Sequence, residues 1–63
     1  MGVILLLGKE NEVQSGQTIQ EAVTGLGLHP DSFLYLVESK PVPMDTVITD
    51  NMVVKAMRVA SGG

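Results

Sequence analysis

The chain has no cysteine, and each consequence of that narrows its chemistry. It has no disulfide to staple a small fold, no thiol nucleophile and no thiolate to hold zinc or an iron–sulfur cluster. Aromatics are almost missing: Phe33 and Tyr35 are the only two. Cations are scarce as well. Lys9, Lys40, Lys55 and Arg58 are the full set, spaced along a chain of net charge −3. Nucleic-acid binding needs a concentrated basic footprint, and none is present, so direct contact with RNA or DNA is not expected. An acidic body suits docking on basic protein surfaces. There is a single histidine, His29, which sits beside Pro30 in a turn and cannot build a metal site alone. No apolar run is long enough to cross a bilayer; the longest, Val3-Ile4-Leu5-Leu6-Leu7, is far short of a membrane span. It lacks a basic leader and cleavage site. Leu6 stands where an N-myristoylation motif wants Ser or Thr. These readings together point to a cytoplasmic protein.

What remains is aliphatic. Sixty-three residues allow one domain with a thin core, so stability must come from economical packing of Val, Ile and Leu. Residues 2–7 read as a strand buried on both faces and central in a sheet. Gly8-Lys9-Glu10-Asn11 has turn chemistry, and Glu12-Val13-Gln14-Ser15 is a weak second strand. Residues 18–26 carry the clearest helical signal. Thr18 and Glu21 have capping-box spacing, Ile19, Ala22, Val23 and Leu26 form one apolar stripe, and Gly27 fits a left-handed cap. Gly25 weakens this short helix, which must be held by packing on a sheet.

After a turn at 29–32, Phe33–Val37 reads as the second strong strand. Pro41-Val42-Pro43 is extended but unsuited to a central strand, because each proline lacks a ladder donor. Thr46-Val47-Ile48 reads as a short bridge or turn, Asp50-Asn51 as a turn, and residues 52–59 as the last strand. Strand, strand, helix, strand, short strand, strand predicts an α+β fold of β-grasp type. A mixed sheet packs on one main helix, and the first and last long strands lie parallel at the centre. Residues 1–59 would form this domain and 60–63 a flexible, projecting tail. In the last strand, Lys55, Met57 and Val59 share one face and Val54, Ala56 and Arg58 the other; the alternation leaves the core side open.

The sequence closes on Gly62-Gly63. Two residues without Cβ can enter a slot too narrow for side chains, and a carboxylate there could be activated as an acyl-adenylate. Gly25-Leu26-Gly27 sits at a helix end and is no phosphate loop. Glu10 and Glu12 have no cleft in prospect for paired acid–base work.

From about Thr18 to Gly63 the chain resembles the ubiquitin-like β-grasp proteins. Within these it looks like the small archaeal modifiers and the thiamine-, molybdopterin- and tRNA-thiolation-type sulfur carriers. The segments that carry the resemblance are Thr18-Ile19-Gln20-Glu21-Ala22-Val23, Leu26-Gly27-Leu28-His29-Pro30, Leu36-Val37-Glu38-Ser39-Lys40-Pro41-Val42-Pro43 and Val54-Lys55-Ala56-Met57-Arg58-Val59-Ala60-Ser61-Gly62-Gly63. Pro41-Val42-Pro43 and the length look closest to the archaeal branch.

The resemblance implies that an adenylating activating enzyme, using ATP and magnesium, converts the Gly63 carboxylate to an acyl-adenylate. Attack by a sulfur nucleophile then gives a thiocarboxylate for tRNA thiolation or cofactor synthesis; attack by a lysine of a target protein gives an isopeptide bond. Partners would be the activating enzyme, sulfur donor and acceptor enzymes and target proteins, with no cofactor bound to this chain. The chain itself would be a substrate and no enzyme. Arg58, Met57 and Val59 would dock the activating enzyme, and Lys9, Lys40 and Lys55 could accept further copies. Other readings are a dedicated thiamine or molybdopterin carrier, or a β-grasp interaction module with an incidental diglycine. The chain departs from the sulfur-carrier pattern at Glu38-Ser39-Lys40, where those proteins often have Asn-Gly or Asp-Gly, so a wider hairpin is expected here.

Overall fold

The computed structural model describes residues 1–59. The chain runs β1 (Gly2–Leu6), β2 (Lys9–Val13), α1 (Ile19–Gly25), a 3-10 turn (Pro30–Ser32), β3 (Phe33–Val37), β4 (Lys40–Val42) and β5 (Val53–Arg58). The five strands form one mixed sheet of order β2-β1-β5-β3-β4. β1 pairs antiparallel with β2 and parallel with β5, and β5 pairs antiparallel with β3. The fold is therefore a small α+β architecture with β5 at its centre, one helix, and β1 and β5 parallel as the sequence predicts.

Two turns differ from expectation. Leu7-Gly8 alone joins β1 to β2, with φ of 52° and 78°. β2 therefore begins at Lys9, so Glu10, expected in the turn, is a strand residue, while Glu12 and Val13 lie in the second strand as expected and Gln14 and Ser15 lie beyond it. Glu38-Ser39 joins β3 to β4 with φ of 53° and 67°, so the hairpin is tight without glycine. Positive φ at both central residues is the type I′ arrangement, whose twist matches that of the flanking strands. Registry of the flanking pairs, Val37 against Lys40 and Leu6 against Lys9, outweighs the local cost of left-handed backbone at Glu38, Ser39 and Leu7.

The helix has seven residues and could not persist alone. Thr18 caps it: its Oγ1 accepts from the Glu21 amide at 3.1 Å, and Glu21 Oε1 accepts from the Thr18 amide at 2.9 Å. Ile19, Ala22 and Val23 are buried against Ile4, Leu6, Tyr35, Val54 and Ala56. Leu26, expected to complete the stripe, lies 40% exposed, because the helix has already ended at Gly25. Tyr35 is buried, and its hydroxyl donates to the Pro30 carbonyl at 2.7 Å. Burial, helped by the charge of Asp31, raises its pKa above the ordinary tyrosine value.

β1 was expected to be buried on both faces. Instead it alternates: Gly2, Ile4 and Leu6 point into the core, while Val3 and Leu5 are only half-buried on the other side. The helix and the 43–52 connection cover only one face of the sheet. Ile48 in that connection is 1% exposed and joins the core. It is held by its amide donating to the Gln17 carbonyl and its own carbonyl accepting from Gly16. Among the described residues no helix is long and apolar enough to cross a membrane.

Candidate docking face

Side chains in a strand alternate between faces, so the core assignment of β5 fixes everything beside it. Val54 and Ala56 are buried, which resolves the two faces left open by the sequence. Val53, Lys55 and Met57 point to the opposite side. Register then sets Val3 beside Val53, Leu5 and Leu36 on either side of Lys55, and Leu34 beside Met57. No described element lies over this side. Leu34, Val53 and Met57 are 44%, 50% and 47% exposed. Leu7, in the turn after β1, and Val59, just past β5, are further exposed apolar residues at this end of the sheet. Apolar side chains gathered on one open sheet face mark an interaction surface more strongly than the same residues scattered singly.

The two ends of this face differ. Near Met57 it is flat and apolar. At the start of β5 it hollows into an open groove of about 610 Å³ floored by Leu5, Leu36, Val53 and Lys55. Glu38 and Asn51 stand on its rim. Asp50, on the same rim, accepts from the Met1 ammonium at 2.7 Å and from Ser15 Oγ at 2.8 Å. The ammonium hydrogen bond first, then that of Ser15, then the ammonium charge, hold the Asp50 carboxyl below its ordinary pKa. A depressed folded pKa contributes stability that is present above the unfolded value, about 3.9, and lost as pH falls through the folded one. Carbon-13 titration should place the Asp50 midpoint below the ordinary aspartate value, with Ser15→Ala shifting it upward. A midpoint unmoved by that substitution would remove the Ser15 hydrogen bond from the account.

Of the residues singled out from sequence, Met57 lies on the open face and Val59 follows it. Arg58 has core-side parity, paired with Phe33, but sits exposed at the sheet's end. Lys9, Lys40 and Lys55 are all exposed on three different strands, so the structure does not bring them together. Gly62 and Gly63 lie outside the described residues. Among the described residues no three His, Asp or Glu side chains converge as a metal site would require. Sequence reasoning missed Leu34 and Leu36. The available signal was parity: if Tyr35 is buried with its hydroxyl satisfied, its neighbours in β3 must face the other way.

The geometry defines a small one-helix, one-sheet α+β protein with an unpartnered apolar sheet face. No protein-family model matches the chain. It is 39% identical over 56 residues to an uncharacterized protein of Archaeoglobus fulgidus, a match covering 87% of this chain and 82% of that protein. The chain belongs to the same family as that archaeal protein.

Proposed function

We propose that this chain is a ubiquitin-like β-grasp protein, a modifier and sulfur carrier of the small archaeal modifier type, activated at Gly63. One observation carries the reading: β5, which leads into the diglycine segment, is the central strand and runs beside an open apolar face. The order β2-β1-β5-β3-β4 with one helix across it supports the β-grasp assignment. A central strand is anchored by ladders on both sides, so an enzyme that grips the sheet face acquires a fixed bearing on the chain leaving its end. Met57, Leu34, Leu7 and Val59 are the apolar contacts such an enzyme would use. Arg58 is exposed at the end of the sheet with core-side parity, so it would meet a carboxylate of that enzyme beyond the open face rather than on it.

The chemistry requires Gly63 to present a free carboxylate, directly or after trimming of a longer precursor. The carboxylate attacks the α-phosphorus of magnesium-bound ATP, releasing pyrophosphate and leaving an acyl-adenylate. Sulfide then displaces AMP to give a thiocarboxylate directly. A persulfide gives an acyl disulfide, from which a second thiol releases the thiocarboxylate as it forms a disulfide with the donor. A lysine amine displaces AMP to give an amide. ATP and magnesium belong to the activating enzyme, and this chain is its substrate.

The test is intact mass after incubation with ATP, magnesium, sulfide and the activating enzyme of the same genome. Replacement of one oxygen by sulfur is the expected product. Adenylate without sulfur would shift the reading toward conjugation, and no reaction with a demonstrably active enzyme would leave a non-conjugated interaction module. Leu34→Glu and Met57→Glu should each cut kcat/KM at limiting carrier by about tenfold or more, mostly through KM, since each puts a charge into an apolar contact. A full rate in both variants would move docking off this face.

A further inference from the structure

The open face carries a charge pattern that is complementary to itself. Crossing the sheet at the level of Leu5, register gives Glu10, Leu5, Lys55, Leu36 and Pro41 on β2, β1, β5, β3 and β4 in turn. Glu10 and Lys55 are exposed charges one strand to either side of Leu5, and among the described residues neither makes an ion pair. Laid face to face on a two-fold axis parallel to β1, two such sheets set Leu5 on Leu5. The same operation sets Glu10 of each copy over Lys55 of the other, forming two equivalent ion pairs. Val3 meets Val3 along the same axis.

We infer that a second copy of this chain docks on the open sheet face, as a symmetric dimer paired Glu10 to Lys55. An isologous two-fold contact needs a self-complementary patch, and this row supplies one. The sheet edges are poor alternatives. β2 exposes Lys9, Glu10 and Glu12, and β4 is three residues long with Pro41 in its middle; charge, brevity and proline all blunt an edge.

Size sets the strength. In this pairing β2, β1 and β5 of one copy lie over β5, β1 and β2 of the other, and three strands about 4.8 Å apart and five or six residues long give a shared face of about 250 Å². That is roughly a third of what a standard partner contributes, so the dimer should be weak, dissociating at about 1 mM. It would cover the β5 side of the surface proposed for enzyme docking, with Met57, and leave Leu34 on β3 open, so the concentrated free carrier masks part of that surface. No residue of the tail takes part, so a chain lacking Gly62 and Gly63 should dimerise unchanged whether or not the carrier reading holds.

Charge exchange tests it. Lys55→Glu alone puts two acid–acid pairs in the homodimer, and Glu10→Lys alone puts two base–base pairs there. Sedimentation equilibrium should show each variant associating at least about tenfold more weakly than the parent, the loss given by two like-charge contacts. An equimolar mixture restores both ion pairs and should regain parental affinity as a heterodimer. Asp45→Lys, which changes net charge as much as Glu10→Lys but lies in an exposed turn, should not rescue Lys55→Glu. The neutral pair Lys55→Gln and Glu10→Gln should weaken association without any rescue on mixing. Amide shifts on diluting the parent should map to β1, β2 and β5. A parent that is monomeric at about 5 mM, several-fold above the expected Kd, would overturn the inference. So would shifts confined to a sheet edge, or a mixture no tighter than its components.

Discussion

Deleting Gly63 abolishes the sulfur-for-oxygen mass change while leaving the melting temperature of the domain where it was. Gly63→Val does nearly the same, lowering kcat/KM by at least about a thousandfold if a β-branched side chain is kept from the slot that admits the terminal carboxylate, a loss of about 4 kcal/mol in transition-state stabilisation. The fold should be indifferent, because among the described residues the buried core reaches no further along the chain than Ala56. Gly63→Ala, with one methyl, should fall between the parent and Gly63→Val. The decisive comparison is with Leu34→Glu and Met57→Glu. A tail defect lowers kcat at saturating carrier, because the reacting carbon is misplaced; a face defect raises KM, because the enzyme holds the body less tightly. Wild-type yield of thiocarboxylate or conjugate from the Gly63→Val chain would sink the carrier reading altogether. The face would then stand as an interaction surface without acyl chemistry.

Ile48→Ala should be the most damaging single change to the body of the protein. Ile48 belongs to no strand or helix, yet it is 1% exposed, with the Gly2 backbone against its Cγ2. Truncating a buried isoleucine costs about 2–5 kcal/mol. A domain of 63 residues has roughly 3–9 kcal/mol in all. A fall of at least about 10 °C in Tm is expected, at several degrees per kcal/mol for this size. Gly2 makes the contact testable from the other side. A Cβ there would stand 2.5 Å from Ile48 Cγ2, with the Met52 and Thr49 carbonyl oxygens at 3.2 and 3.3 Å. Gly2→Ala should therefore destabilise by about 1–3 kcal/mol through overpacking. Combined with Ile48→Ala, the loss should be smaller than the sum, since the cavity receives the new methyl. Strict additivity in urea unfolding would mean that the two residues do not share that space.

The elements that local rules specify were legible in the residues. Thr18 and Glu21 announced the helix start, and Phe33–Val37 read as a strand to the residue. Pro41 kept its segment at the sheet edge, where the missing amide is harmless. The tight Glu38-Ser39 turn was not legible, because its sequence has no residue that prefers positive φ; cross-strand pairing imposes the conformation. Ile48 was not legible as core, since no periodicity surrounds a single buried residue in a connection.

By itself the sequence determined the class of the fold, the parallel pairing of its first and last strands, and the absence of thiol chemistry. All three follow from propensity, pattern and composition along the chain. Only the tertiary structure decided which side of the sheet is open. β5 alternates apolar and mixed residues on both parities, so neither face is marked as core until the helix and Ile48 cover one of them. That choice buries Val54 and Ala56. It leaves Leu34, Val53 and Met57 exposed and places Lys55 between two leucines. A docking face depends on what is left uncovered, and that depends on which elements pack together rather than on any local run of residues.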